Sequence, residues 1–291
     1  MENKKSIFLT CTDFTVTNEK FDLLLDKENE MLITSPQPKE SDLGKYYESE
    51  DYISHTDAKK SMFDKVYQVV KNHTIRQKLH LINSFQTEEK TLLDIGCGTG
   101  DFLTFCQQND WDVTGIEPNK SARDLAINKV NEVEGKKKIF DQIEILISDS
   151  TKKFDVITMW HVLEHVPNLE EYISFLKQLL KPNGTLIIAV PNYKSYDAKH
   201  YGKFWAAYDV PRHLWHFSQK SIQHLFSKFN FELVKTLPMK FDSYYVSLLS
   251  EKYRSGSSNP LKAFYIGFMS NLKAGCSKEY SSLIYILKRK K

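Results

Sequence analysis

Between Thr91 and Val190 the apolar positions fall into a regular alternation. Compact runs at Thr91–Ile95, Val113–Glu117, Ile143–Ile147, Phe154–Met159 and Thr185–Val190 read as strands. Between them, apolar residues spaced three and four apart over Asp101–Gln108, Ser121–Val130 and Leu169–Leu180 read as helices, the last ended by Pro182-Asn183-Gly184. Strands alternating with helices imply crossover connections, a parallel sheet and a three-layer α/β fold.

The flanks are patterned differently. Residues 1–44 read as a small β-rich extension, with strand-like pieces at Phe14-Thr15-Val16, Phe21–Leu25 and Met31–Ile33 and a stop at Pro36 and Pro38. Residues 45–291 then form the main domain. Asp57 is placed to cap a helix whose stripe is Phe63, Val66, Tyr67 and Val70; it runs to about Phe85 with a break near Asn72. After Pro191 the alternation stops, and residues 191–217 concentrate aromatic side chains, the pattern of a substrate lid. Ser218 caps a helix over Ile222–Phe229, Phe231–Leu237 is strand-like, residues 244–279 are a helical insertion broken at Ser255–Pro260, and Leu283–Leu287 is a last strand.

Composition narrows the class. A chain of 291 residues, 41% hydrophobic and 26% charged, is globular rather than disordered. No apolar run approaches the roughly 20 residues of a membrane span, and nothing behind Met1 resembles a secretory h-region. The four cysteines are far apart with no C-x-x-C pair, which suits a reducing cytoplasm. A net charge of +3 gives no case for a nucleic-acid partner. The basic end Lys288-Arg289-Lys290-Lys291 reads as solvated, leaving room for weak contact with a membrane surface beside the insertion; the oligomeric state is not readable.

The chemistry begins at Leu92-Leu93-Asp94-Ile95-Gly96-Cys97-Gly98-Thr99-Gly100. Glycines after a strand let a ligand approach bare backbone, and the following helix aims its free N–H groups at it. Glu117, at the end of the next strand, can accept both hydroxyls of a ribose. The spacing is G-x-G-x-G, not the G-x-G-x-x-G of dinucleotide folds nor the G-x-x-x-x-G-K-[ST] of a P-loop.

Together with Gly115-Ile116-Glu117-Pro118-Asn119, Phe154–Val166 and Leu180–Asn192, this turn resembles the class I S-adenosylmethionine-dependent methyltransferases over about residues 45–240; Tyr208–Phe217 (YDVPRHLWHF) resembles a small-molecule subgroup. The resemblance implies a Rossmann-like, mostly parallel seven-stranded sheet with the last strand antiparallel. It implies S-adenosylmethionine as cofactor, with Asp94, Gly96, Gly98 and Gly100 shaping the methionine pocket and Glu117 on the ribose. Pro118 and Asn119 would lie near the adenine, as would Asp149, taken as following the third strand. Trp160 and His161 would line the mouth. Related enzymes also begin with a zinc ribbon; Cys11 and Thr34–Pro38 resemble its outline, but Asp26-Lys27-Glu28-Asn29 stands where paired cysteines belong, so this segment reads as metal-free. Tyr46, Tyr47, Tyr52 and His55 follow it and could cover the cofactor.

His161-Val162-Leu163-Glu164-His165 matches the H-x-x-E-H zinc motif, but it follows a strand rather than sitting on a helix, Pro167 closes it, and the sequence shows no third ligand, so no metal is expected. His165 and His213 are the candidate bases for an acceptor that must lose a proton, and Arg212 the candidate cation for an anionic substrate group. An Asn/Asp-Pro-Pro-aromatic motif after the fourth strand would mark amide or nucleobase nitrogen as acceptor. Trp160-His161-Val162-Leu163 stands there instead, which favours O-methylation, with C-methylation second, of a small apolar or aromatic molecule. The rival readings are a nicotinamide-dependent oxidoreductase and an inactive methyltransferase-like binding protein.

Overall fold

The computed structural model describes residues 5–39, 42, 44–47, 62–130 and 138–290. Asp57, Tyr52 and His55, and the side chains of Tyr47, Phe63, Val66 and Tyr67, lie outside the described residues. The central sheet has seven strands in the order β10-β11-β8-β7-β4-β5-β6: β4 Thr91–Ile95, β5 Asp112–Ile116, β6 Ile139–Phe140, β7 Phe154–Trp160, β8 Leu180–Pro191, β10 Phe231–Pro238 and β11 Ser282–Arg289. Strands β4 to β8 pair in parallel, and β11 runs antiparallel between β8 and β10. Arg289, in the tail expected to be solvated, closes β11 by donating to the Leu180 carbonyl at 2.5 Å.

Alternation along the strands builds both outer layers. Leu92, Val156 and Ile187 face α1 (Met62–Asn83), α2 (Asp101–Gln107) and α3 (Lys120–Lys129), where Ile82, Leu103 and Ala126 are buried. Leu93, Ile157 and Ile188 face α5 (Leu169–Leu179) and α7 (Gln219–Ser227), against Ile173, Leu176 and Phe226. Strands wetted on neither face read as near-continuous apolar runs, which is why these were legible. Helix α1 runs through Asn72 without the expected break.

Two expected strands are corrected. Ile143–Ile147 is not the third strand: that strand is Ile139–Phe140, and Glu144–Ile147 is a short helix, α4. Only Ile143 and Leu146, three apart, are fully buried, so a four-residue apolar run mimicked a strand while serving one helical turn. Phe14-Thr15-Val16 is a turn, not a strand, because the Asp13 carboxylate accepts the backbone N–H groups of Thr15, Val16 and Thr17 at 2.9–3.3 Å. The strand of this region is β1, Lys5–Thr12.

Strand β1 pairs with β2 (Lys20–Asp26), β2 with β3 (Met31–Ser35), and β3 with β9, Trp215–His216, giving a second, four-stranded antiparallel sheet. At the β2–β3 turn the Asp26 carboxylate accepts from the Glu28 and Asn29 amides. The sheet's buried residues Cys11, Phe21, Leu23 and Leu32 pack on Tyr193, Tyr201, Trp205 and Tyr208, so most rings of the aromatic segment are consumed in a second core. Tyr46 belongs to it too, donating its hydroxyl to Glu19 at 3.0 Å.

Arg212 fastens this core. Its guanidinium donates to both Asp209 oxygens (3.0 and 2.6 Å), to Asp13 (3.3 Å), to the Tyr46 carbonyl (3.0 Å) and to Thr15 Oγ1, with a side chain 6% exposed. These bonds make Arg212, expected to bind a substrate anion, a buried clamp between the small sheet and the segment 191–217. Removing one partner of a buried ionic network strands the others, so Arg212→Ala should cost about 3–5 kcal/mol in urea unfolding. Burial raises the Asp13 carboxyl, but the Thr17 and Thr15 amides and Arg212 outweigh it and lower the group below its usual 3.8. A lowered carboxyl stabilises above its unfolded value, so the clamp's contribution should fade as the pH falls below about 4, and the acid sensitivity of unfolding should shrink in the variant.

Candidate active site

The glycine turn folds back on β5. The Gly96 and Cys97 amides both donate to the Ile116 carbonyl at 2.8 and 3.0 Å. Gly96 has φ +70°, and an added Cβ would meet Val162 Cγ2 at 2.4 Å, so only glycine fits beside the loop after β7. Gly98 has φ +55°, and a Cβ there would meet nothing within 4 Å: its side opens onto space. Its amide donates to Glu117 Oε2 at 2.8 Å, and the Asn119 amide donates to Oε1 at 2.9 Å. The carboxylate is 7% exposed and aimed into the turn. Burial raises its pKa, and the two amides offset part of that.

The other expected cofactor contacts divide. Asp94 lies in β4, buried, and accepts from Thr158 Oγ1 at 2.6 Å; desolvation pushes its carboxyl up to about 7, against that bond and the Lys78 charge. Gly100, φ +80°, starts α2, close against Ala126. Pro118 is exposed, and Asn119 spends its side-chain oxygen capping α3 through the Ala122 amide at 3.0 Å. Asp149 is a correction: it lies past α4 on the surface, accepting from Thr151, and the residue that follows the true third strand is Asp141. Trp160 ends β7 with its ring edge-on to Phe102 and its Nε1 buried without a hydrogen-bond partner.

Sequence reasoning missed two residues here. Lys78 of α1 lays its ammonium 4.2 Å from the Trp160 ring centroid. Burial pulls its pKa down to about 8, opposed by Asp94 and Asp242. Asp242 lies just before the expected insertion 244–279, whose first helix, α8 (Asp242–Ser255), begins with it, and it reaches His161 Nε2 at 3.0 Å. His161 sits in the left-handed region, φ +58°, unusual for a bulky residue, with Nδ1 3.4 Å from Glu164. Burial opposes its charge, but bonds to Asp242 and Glu164 prevail and raise it to about 10. No sequence signal marks either residue: one is a lysine on an ordinary helix, the other lies far along the chain.

The fold also supplies what the H-x-x-E-H motif lacked. His213 stands beside it, its ring 4.6 Å from that of His165 and nearly perpendicular. His165 Nδ1 meets the Arg212 carbonyl at 3.0 Å and His213 Nδ1 the Ala207 carbonyl at 2.9 Å. A carbonyl only accepts, so Nδ1 of each ring carries a proton, and in neutral His165 Nε2 carries the lone pair. Burial and then His213 lower His165 to about 4. Glu164 is 1% exposed and neither oxygen makes a well-formed hydrogen bond. Burial would raise it, but the His161 ring 3.4 Å away, and after it His213, outweigh that and hold the carboxyl below its usual value. Donor atoms of Glu164, His165 and His213 lie within 4.8 Å of one another, the set among the described residues that could hold a divalent ion.

A family profile described as "Methyltransferase domain" matches residues 68–236. The chain belongs to the class I S-adenosylmethionine-dependent methyltransferases. Curated relatives include the ubiquinone biosynthesis O-methyltransferases of Coxiella burnetii, 33% identical over 130 residues (40% of this chain, 55% of that protein), and Rickettsia conorii, 36% identical over 101 residues (35% of each). The chain thus spans about half or less of the relatives it matches. Among solved structures, magnesium protoporphyrin IX methyltransferase from Synechocystis aligns with TM-score 0.53 at 16% identity, covering 84% of this chain and 96% of that one. A putative sarcosine dimethylglycine methyltransferase from Galdieria sulphuraria aligns at 0.50 and 12%, covering 76% and 86%. At these identities the likeness is one of fold.

This methyltransferase should show its carboxylate clamp by NMR. In Asp242→Asn, His161 should titrate below the value near 10 that the intact pair sustains. Because a raised histidine stabilises below its unfolded value near 6.5 and loses that contribution as pH climbs through the folded one, the wild type should lose stability between about pH 6.5 and 10 more steeply than the variant.

Proposed function

We propose that the chain transfers the methyl group of S-adenosylmethionine to a hydroxyl of a small apolar or aromatic molecule. The observation that carries the reading is the Glu117 carboxylate held by the Gly98 and Asn119 amides beside an open, side-chain-free turn. Each oxygen keeps an acceptor lone pair for a ribose hydroxyl, and the bare backbone at Gly98 leaves room for the nucleoside. The buried, unpartnered Trp160 Nε1 at the end of β7 is a further donor. The G-x-G-x-G spacing argues against the nicotinamide alternative.

Bound there, S-adenosylmethionine supplies a methyl group already activated on a sulfonium. The chain's work is to align an acceptor, exclude water and take one proton. His165, neutral and with Nδ1–H fixed on the Arg212 carbonyl, offers Nε2 as the base, and His213 is oriented the same way to share the proton. Glu164 is the fixed counter-charge that makes an imidazolium tolerable in a buried site. The hydroxyl acceptor is supported by the absence of an amide- or base-type motif after β7 and by the names of the O-methyltransferase relatives. Asp141 replaces Asp149 as the candidate adenine contact.

Calorimetry with S-adenosylmethionine and its demethylated product tests the pocket. Glu117→Ala should weaken binding about 10–100-fold, the loss of one or two charge-assisted bonds, and Gly98→Ala should weaken it comparably by filling the opening. No binding by the wild type would overturn the reading. In assays with labelled methyl donor, His165→Ala should lower turnover about 100- to 10,000-fold with cofactor affinity nearly unchanged; equal turnover would remove it as the base.

A further inference from the structure

The second helix of the insertion, α9 (Pro260–Ser277), is built inside out. Its buried positions are mostly small: Ala263, Ile266, Gly267, Ser270 and Ala274. Its large apolar residues point the other way: Leu261 is 86% exposed, Phe264 63%, Tyr265 57%, Phe268 48% and Leu272 58%. Spaced at i, i+3, i+4, i+7 and i+11, these five share one face, a stripe about 100° wide. The small side is needed for close approach: a Cβ on Gly267 would come within 2.9 Å of Tyr244 Cα in α8, and Ser270 Oγ donates to buried Asp197 at 2.6 Å. The outer stripe continues onto α8, where Tyr244 stacks on Phe264 at 5.2 Å and Tyr245 is exposed.

The charge around it has one sign. Helix α9 carries Lys262 and Lys273 and no acidic residue, and residues 238–278 hold six Lys or Arg against Asp242 and Glu251 alone. Those two acids are already engaged, Asp242 with His161 and Glu251 with Lys262 at 2.9 Å. An apolar stripe in a basic surround complements an anionic lipid surface, whereas the cores of protein interfaces are depleted in lysine. No helix among the described residues is long and apolar enough to cross a membrane, so the contact is in the plane.

We propose that α9 docks flat on an anionic lipid bilayer, inserting Leu261, Phe264, Tyr265, Phe268 and Leu272 between headgroups. The full chain is mixed with vesicles of phosphatidylcholine alone or with phosphatidylglycerol. Cys276, exposed at the end of the stripe while Cys11, Cys97 and Cys106 are buried, carries an environment-sensitive fluorophore. The expected result is co-sedimentation and blue-shifted emission with the anionic vesicles, weakened by salt. Leu261→Glu with Phe268→Glu should cut binding at least about tenfold while circular dichroism and melting temperature stay those of the wild type. Absence of binding to both vesicle types, undiminished binding by the double variant, or a dimer that the double variant dissolves in light scattering would each overturn the proposal, the last by assigning the face to a second copy of the chain.

Discussion

One carboxylate organises the cofactor end of this sheet. Glu117 follows β5 directly, and its carboxylate accepts from the Gly98 amide of the neighbouring turn and from the Asn119 amide ahead of it. A loop of glycines has too much conformational freedom to hold a shape alone. Here two amides on the Ile116 carbonyl and one on Glu117 fix it, so β5 sets the form of the turn that leaves β4. The charge is buried at a cost, and the amides that meet it are those the turn must satisfy anyway.

The segment 191–217 does two jobs with adjacent residues. The Arg212 side chain ties the small sheet to the body, while the Arg212 carbonyl orients His165. His213 turns back to the Ala207 carbonyl and faces His165, and His216 meets Thr34 Oγ1 of β3 at 3.0 Å. Loss of the small sheet would therefore reach the imidazoles through the backbone at 212–214. The rings that looked like a lid form the shared core of these two parts, which makes that wall of the site rigid.

The sequence was most legible where one force dominates. Strands β4, β7 and β8 are buried on both faces, and their apolar runs leave no other reading. Capping chemistry was equally local: Ser218 and Ser221 satisfy each other's backbone amides at the start of α7, as a serine before an apolar repeat suggests. Legibility failed where a side chain redirects the backbone, as Asp13 does at Thr15–Thr17, and where a run is too short for its period to show, as at Ile143–Ile147. At the site, residue types were readable but partners were not. Arg212 looked like a free cation because Asp13 is 199 positions away. The H-x-x-E-H motif looked incomplete because His213 arrives from beyond β8.

Among the described residues, an ion pair joins helix α8 to the loop after β7. Helix α8 begins at Asp242, whose carboxylate lies in the first turn and meets His161, itself held by Glu164 beside the paired imidazoles. A movement of α8 of about an ångström would lengthen that contact beyond hydrogen-bonding range and leave His161 with one carboxylate instead of two. The imidazolium would then draw more strongly on Glu164, lessening the negative charge available to His165 and His213. Because α9 packs on α8 through small residues with backbone nearly in contact, a force on the outer face of α9 is transmitted to α8 with little slack. His161, in a left-handed backbone conformation, stands between Asp242 of α8 and Glu164 beside the histidine pair.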